Sequence, residues 1–468
     1  MRQLLIVLLS LVFVTCSKPQ SDTAPNILFI LADDLGYGDV GCFGQQYIKT
    51  PNIDKLATQG MKLTRHYSGS PVCAPSRCVL LTGKHTGNAY IRDNDEMNER
   101  GDVWNDPALE GQRPLIQSEI TMGELFQDAG YNTSFIGKWG LGWTGTEGDP
   151  NAQGFDHFFG YICQRVAHNY YPDHLHRNEQ TISINPDGSE VDYAADLMAN
   201  EALDFLDKTN GQPFMMVYAT PVPHLALQVP QDSLDEYKGA FEETPYDGSK
   251  GYLPHETPRA AYAAMITRMD RDIGDILAKL DEMGVADNTL VVFTSDNGPS
   301  WIGGCDLEFF QSQGGLRGRK AQVYEGGLRV PTVVRWPGRV SANSESDYVS
   351  AFWDWLPTFC SAANIEHQQQ DGHSLVNILE GEQDTRRPDP LYFEHARQAQ
   401  AIIDGDFKLL RSKQSAEWEL YNLRDDSAET NNLAEKDQDK VAELLELVDS
   451  VRVKSEIFPL KVVLEASK

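Results

Sequence analysis

The apolar positions of this chain gather into a few short, nearly unbroken runs, and each run leads into polar residues that carry chemistry. The clearest are NILFILA (26–32), TSFIG (133–137), FMMVYAT (214–220), TLVVFTS (289–295) and VPTVVRW (330–336). Continuous runs of this length fit strands buried on both faces, as in a parallel sheet covered by helices. Between them the period changes to that of a helix. Residues 193–208 show it, and residues 258–284 show it best, with Met265, Met269, Ile273, Leu277 and Leu280 on one stripe and Gly284 as a stop signal. Strand–helix alternation predicts an α/β fold with a large central sheet, mixed but mostly parallel, flanked by helices. Near residue 385 the pattern changes to the alternating, turn-punctuated PLYFEHARQAQAIIDGDFKLLR, which reads as antiparallel strands. KVAELLELVDSV then sets Val441, Leu444, Leu445 and Val448 on one helical face. The expected organisation is a catalytic domain over 25–385 and a smaller C-terminal α+β subdomain over 386–468. The polar stretch 231–257 reads as a surface loop near the mouth of a site.

The first residues, MRQLLIVLLSLVFVTCSKPQSD, read as a targeting segment rather than structure: Arg2 precedes an apolar run from Leu4 to Val14 that is short for a membrane span. Cys16 follows that run, as in a bacterial lipoprotein signal, and residues 17–24 would be a tether. Two readings stand: a lipid anchor at Cys16 in the periplasm or outer membrane, or plain secretion. Formal net charge is −29, which argues against nucleic acid or an anionic membrane surface as partner. An anionic substrate then needs a local cluster of cations or a metal ion. The seven cysteines, Cys16, Cys42, Cys73, Cys78, Cys163, Cys305 and Cys360, form no CxxC pair and no zinc spacing. One or two disulfides are compatible with export.

The chemistry collects where the apolar runs end. NILFILA runs into Asp33 and Asp34, TLVVFTS into Asp296 and Asn297, TSFIG into Lys138, and FMMVYAT toward His224. Sites in open α/β sheets form at the carboxyl ends of strands, so these groups are expected to share one crevice. Asp33, Asp34, Asp296 and Asn297 are hard oxygen ligands that suit Ca²⁺ or Mg²⁺ and lack the His and thiolate that zinc prefers. The same dipeptides also serve as turn and cap residues. On its residues alone, SPVCAPSRCVLLTGKH (70–85) leaves Cys73 open as a structural thiol, a disulfide half, a metal ligand or a nucleophile.

CAPSRCVLLTGK resembles the signature of the type I sulfatases, Cys-x-Pro-Ser-Arg-x-x-Leu-Leu-Thr-Gly. The resemblance continues through PNILFILADDLGYGDVGCFG, GKWGLG (137–142), TSDNGP (294–299), RKAQVYEGGLRVP (319–331) and ELYNLRDDSAETNNLA, in the family's order. It implies an alkaline phosphatase-like fold. It also implies that Cys73 is converted to Cα-formylglycine by a formylglycine-generating or anaerobic sulfatase-maturating enzyme, with Pro75 and Arg77 as the recognition core. The hydrated aldehyde then carries one hydroxyl to attack sulfur and another to expel sulfate, avoiding the slow-hydrolysing ester that Ser or Cys would leave. By the same resemblance Asp33, Asp34, Asp296 and Asn297, with the modified Cys73, match the ligands of one Ca²⁺. Arg77 supports the formylglycine, Lys138 and Lys320 hold sulfate oxygens, and His224 assists the leaving alcohol. Cations around the transferring group and a proton source for the departing oxygen are what sulfuryl transfer requires.

One position departs from the pattern. The family commonly has Gly-Lys-Trp-His-Leu-Gly where this chain has Gly137-Lys138-Trp139-Gly140-Leu141-Gly142. His85 and His168 are candidate substitutes for the missing histidine. Substrate contacts are expected from Arg92 and Asn94, just beyond the nucleophile segment, and from Arg165, His168 and His174 in the polar, aromatic loop 163–178. A sulfated glycan bearing galactose or N-acetylhexosamine is the expected substrate. The alternatives are a phosphate or phosphonate monoester hydrolase of the same superfamily, and a non-catalytic glycan-binding lipoprotein.

Overall fold

Every residue of the strand Asn26–Ala32 is buried, and its side chains divide by parity. Ile27, Phe29 and Leu31 enter one apolar layer, while Leu28 and Ile30 enter another. A strand with two buried faces has no polar alternation, which is why the run is continuous. The computed structural model describes residues 24–460 apart from 98–99, 107, 369, 383–385, 397 and 414–415; the targeting run and Cys16 lie outside the described residues.

The main sheet has ten strands. In spatial order they are Ser344–Ser346, Met61–Leu63, Val333–Arg335, Thr289–Ser295, Asn26–Ala32, Phe214–Ala219, Asn132–Lys138, His157–Tyr161, His174–Arg177 and Gln180–Ser183. The five from Thr289–Ser295 to His157–Tyr161 are parallel neighbours. Val333–Arg335 runs antiparallel to them, and toward the opposite edge His174–Arg177 pairs antiparallel with both His157–Tyr161 and Gln180–Ser183. The helices Cys73–Thr82 and Trp355–Ala363 contribute to one apolar layer, and Ala194–Lys208 and Pro258–Glu282 to the other. The expected stripe Met265, Met269, Ile273, Leu277 and Leu280 is buried along the last of these.

Two segments differ from the sequence reading. The stretch 163–178 is not all loop, because His174–Arg177 adds a short strand beside the sheet edge, with Leu175 in the core and His174 and His176 on its other face. Four residues with one apolar side chain are too few to stand out as a strand in sequence. Within 231–257 a short helix, Gln231–Asp235, and a bridge between Tyr246 and His255 organise the polar chain. Among the described residues the cysteines are free thiols.

The C-terminal region forms an antiparallel sheet of Leu391–His395, Ala399–Asp404, Phe407–Arg411 and Glu419–Asn422. Helix Gln438–Val451 lays Leu444 and Val448 on Tyr392, Ile402, Leu409 and Leu420. The opposite face, with Leu391, Phe393, Ala401 and Leu410, joins the main core. Lys408 crosses that junction. It is 0% exposed and sits 2.9 Å from both Glu325 and Glu429. Arg317 adds hydrogen bonds to Tyr421 and to the Glu429 carbonyl, so the segment carrying Lys320 is tied to the C-terminal sheet. Removing one member of a buried charge group leaves the others unpaired. Lys408→Met is expected to cost about 3 kcal/mol of unfolding free energy, read as a lowered midpoint in urea denaturation at neutral pH.

Candidate active site

The parallel strands deliver their last residues to one crevice. Asp33 and Asp34 follow Asn26–Ala32, Asp296 and Asn297 follow Thr289–Ser295, and Lys138 closes Asn132–Lys138. All five are buried. Asp34 has φ 65°, a left-handed conformation that Asp tolerates better than most residues. Its amide donates to Asp296 Oδ1 at 3.2 Å.

Cys73 enters from the other side as the first residue of helix Cys73–Thr82. Pro75 is tolerated there because first-turn amides have no helical partner, and Gly83 caps the far end at φ 67°. The Cys73 Sγ lies 3.5 Å from Lys138 Nζ, 3.5 Å from Lys320 Nζ and 3.6 Å from Asp33 Oδ1. Asn94 Oδ1 accepts from the Ala74 amide at 3.1 Å, bracing the first turn. Burial, with Asp33 adding to it, pushes the Cys73 thiol up to about 12, so the unmodified side chain is a poor nucleophile at neutral pH.

The charges interlock. Arg77, one turn along the helix, donates to Asp296 Oδ2 at 2.9 Å, to Asp33 Oδ2 at 3.0 Å and to the Lys138 carbonyl. Lys138 Nζ is 2.6 Å from Asp33, and Lys320 Nζ is 2.6 Å from Asp34. Burial works against the charge on both lysines, and the adjacent carboxylates outweigh it. Burial, then the charge of Asp33, raises the Asp296 carboxyl to about 6, and burial also raises Asp34. His224 Nε2 approaches Asp34 at 3.7 Å. Its Nδ1–H donates to the Leu225 carbonyl at 2.8 Å, which leaves Nε2 as the ring atom facing the site. Burial and the two lysines hold His224 well below the usual imidazole range.

The remaining candidates are distributed around this centre. His168 stacks on His224 with ring centroids 4.9 Å apart, and Trp104 and Tyr252 pack on His168 at 5.2 and 4.9 Å. Arg165 donates to the Leu109 carbonyl. Arg92 is turned away, to Glu394 and the Val453 carbonyl. His174 is held by Glu110 and Asp173. His85 pairs with Asp371 and packs between Trp353 and Tyr392, so it does not replace the histidine absent at Gly140. Instead Gln164 covers Gly140: a Cβ there would meet the Gln164 side chain at 3.0 to 3.2 Å. Gln164 is 3% exposed and its Nε2 has no partner among the described residues. Sequence reasoning missed Gln164 and Trp104, since neither follows a strand or belongs to a motif, and their role comes only from chain folding.

Lys138, Lys320 and Arg77, grouped with Asp33, Asp34 and Asp296 around Cys73 at the strand ends of such a sheet, are the arrangement of a hydrolase of anionic esters in the alkaline phosphatase superfamily. The sulfatase family model matches residues 25–365, and a model described as the C-terminal region of N-sulphoglucosamine sulphohydrolase matches residues 318–454. The chain belongs to the sulfatase family and is a sulfuric ester hydrolase. It is 28% identical to the N-acetylgalactosamine-6-sulfatase of Mus musculus over 92% of this chain and 80% of that protein. It is 27% identical to the N-acetylgalactosamine-6-O-sulfatase of Bacteroides thetaiotaomicron, over 93% and 94%. The solved structure of Ps i-CgsB superposes with a TM-score of 0.78 at 26% identity over 92% of each chain, and that protein has also been solved in complex with k-i-k-neocarrahexaose. These relatives set aside the non-catalytic reading, and a phosphonate monoester hydrolase of Agrobacterium radiobacter, at 21% identity, shares the fold alone.

Gly140 has φ 84°, where an L side chain is strained. Gly140→Ala is expected to destabilise by about 1–2 kcal/mol through that backbone strain and the contact with Gln164, measured as a shift of the denaturation midpoint.

Proposed function

We propose that this enzyme removes O-sulfate from galactose or N-acetylhexosamine units of polysaccharides, with Cα-formylglycine at position 73 and one Ca²⁺. The observation that carries the reading is the ring of Lys138, Lys320 and Asp33 within 3.6 Å of Cys73 Sγ. Burial keeps the Cys73 thiol protonated at neutral pH, whereas a formylglycine hydrate would supply a hydroxyl nucleophile without a thiolate.

The donor set fits a hard cation. Asp33, Asp34 and Asp296 converge with Asn297, whose Oδ1 is buried without a hydrogen-bond partner among the described residues. Three carboxylates and an amide oxygen suit Ca²⁺, which when bound would polarise the attacking hydroxyl and a sulfate oxygen. Asp34 and Asp296, whose carboxyls are raised by burial, gain from any added positive charge. Around the ester, Lys138 and Lys320 donate to sulfate oxygens and Arg77 keeps Asp33 and Asp296 ionised and oriented. His224 faces the leaving oxygen with Nε2, its tautomer set by Leu225. A bound sulfate ester brings the negative charge that raises its proton affinity.

Substrate class is supported by the rim. Trp104, 43% exposed, continues through His168 to His224 as a stack of rings, a surface suited to the apolar face of a sugar. The N-acetylgalactosamine sulfatases among the relatives point the same way. The basic and apolar N-terminal residues support export, with Cys16 as a lipid anchor or with secretion.

Sulfate release from regiochemically defined sulfated galactose, N-acetylgalactosamine and N-acetylglucosamine saccharides tests the reading, using protein co-expressed with a maturating enzyme and checked by peptide mass at Cys73. Release at one sulfate position is expected, and Cys73→Ala should abolish it; no release from fully converted protein across the panel would overturn the substrate class. Chelation should remove turnover and lower the melting temperature, both restored by Ca²⁺. At free Ca²⁺ 100-fold above its dissociation constant the recovery corresponds to about 2.7 kcal/mol.

A further inference from the structure

Away from the carboxylate-rich centre, the strand His174–Arg177, next to the sheet edge, carries His174 and His176 on one face, two residues apart. Both imidazoles reach the same carboxylate. His174 Nε2 lies 2.8 Å from Glu110 Oε1, and His176 Nε2 lies 3.0 Å from Glu110 Oε2. One ligand atom from each of the three residues falls within 4.8 Å of the others. Nothing bulky stands in the way, because Gly160 is the strand neighbour opposite His176 on one side, and Thr181 and Ser183 face His176 and His174 on the other.

We propose that His174, His176 and Glu110 form a second metal site, for a transition-type divalent cation such as Zn²⁺. Two imidazole nitrogens and one carboxylate are the donor set that Zn²⁺ and Co²⁺ prefer, in contrast to the all-oxygen set at Asp33, Asp34, Asp296 and Asn297. Asp173 Oδ1 lies 2.6 Å from His174 Nδ1, the outer carboxylate that orients a metal-bound imidazole and raises its basicity. His174 and Glu110 remain partly exposed, so the ion has a route in and a coordination position left for water.

The site has a structural consequence. Glu110 belongs to the segment that presents Trp104 to His168, and through His168 to His224. The same segment is held by Arg100 stacked on Trp143 at 3.5 Å and by Arg165 on the Leu109 carbonyl. A metal held by Glu110, His174 and His176 would tie this segment to the strand His174–Arg177 and steady Trp104 against His168.

The test uses the full chain, stripped of metals and returned to excess Ca²⁺ so that the oxygen-rich centre is filled. Titration with Co²⁺ is expected to give visible d–d absorption saturating at one ion per chain and bleached by Zn²⁺, with a rise in melting temperature. His174→Gln and Glu110→Gln should each weaken Co²⁺ binding at least tenfold. X-ray absorption of the Zn²⁺-loaded wild type should show imidazole scattering at about 2.0 Å, a readout that survives any failure of a variant to fold. Absence of that scattering, or a Co²⁺ spectrum unchanged by both substitutions, overturns the site and leaves a hydrogen-bonded His–Glu–His clasp.

Discussion

The structure depends on a buried charge balance centred on Arg77. Its guanidinium is shared between Asp33 and Asp296 and also reaches the Lys138 carbonyl, so one helix residue holds the ends of three neighbouring or near-neighbouring strands. Lys138 and Lys320 complete the set against Asp33 and Asp34. Ions in this position lose their hydration, and only close, hydrogen-bonded partners offset that loss; breaking one such pair costs about 3–5 kcal/mol. The register of the parallel strands is therefore tied to the chemistry. A slip of one residue would turn Asp33 or Asp296 away from Arg77 and expose the opposite parity of the strand to the wrong apolar layer.

The same balance explains why the centre suits a divalent cation together with an anionic ester. Three carboxylates and three fixed cations cancel before either arrives, and the single negative charge of a sulfate ester offsets half of the charge that a divalent ion brings. Neither element alone holds the machinery: Lys320 comes from a segment that the C-terminal sheet secures through Lys408 with Glu325 and Glu429, and through Arg317. The smaller sheet thus takes part in shaping the active site although it contributes none of the residues around Cys73. The mouth is set by different forces, with aromatic stacking from Trp104 to His224 and polar ties from Glu110 and Arg165.

Much of the fold was legible because doubly buried parallel strands and amphipathic helices leave strong periodic signals. Asn26–Ala32, Phe214–Ala219 and Thr289–Ser295 fall within a residue of where their apolar runs place them, and helix Pro258–Glu282 ends near its glycine. The last two strands on that side of the sheet, His174–Arg177 and Gln180–Ser183, were not legible, since solvent covers one side of them and no long apolar run is needed. At the site, residues that follow strands announced themselves by position. Arg92 reads as a ligand from its neighbourhood to Cys73, yet folding turns it to Glu394, while Asn94, two residues later, reaches the Ala74 amide.

By itself the sequence determined the order of strands and helices, the family, and the residue types available for metal, nucleophile and sulfate, because these are written in local runs and short motifs. Only the tertiary structure decided that Gln164 would fill the space over Gly140, that His85 would face Trp353 and Asp371 instead of the nucleophile, and that Glu110 would meet His174 and His176. Those contacts join segments far apart in the chain, and their partners are chosen by where the sheet edge and the covering loops come to rest. No periodicity or motif in the chain encodes that choice, since it follows from packing of the whole core.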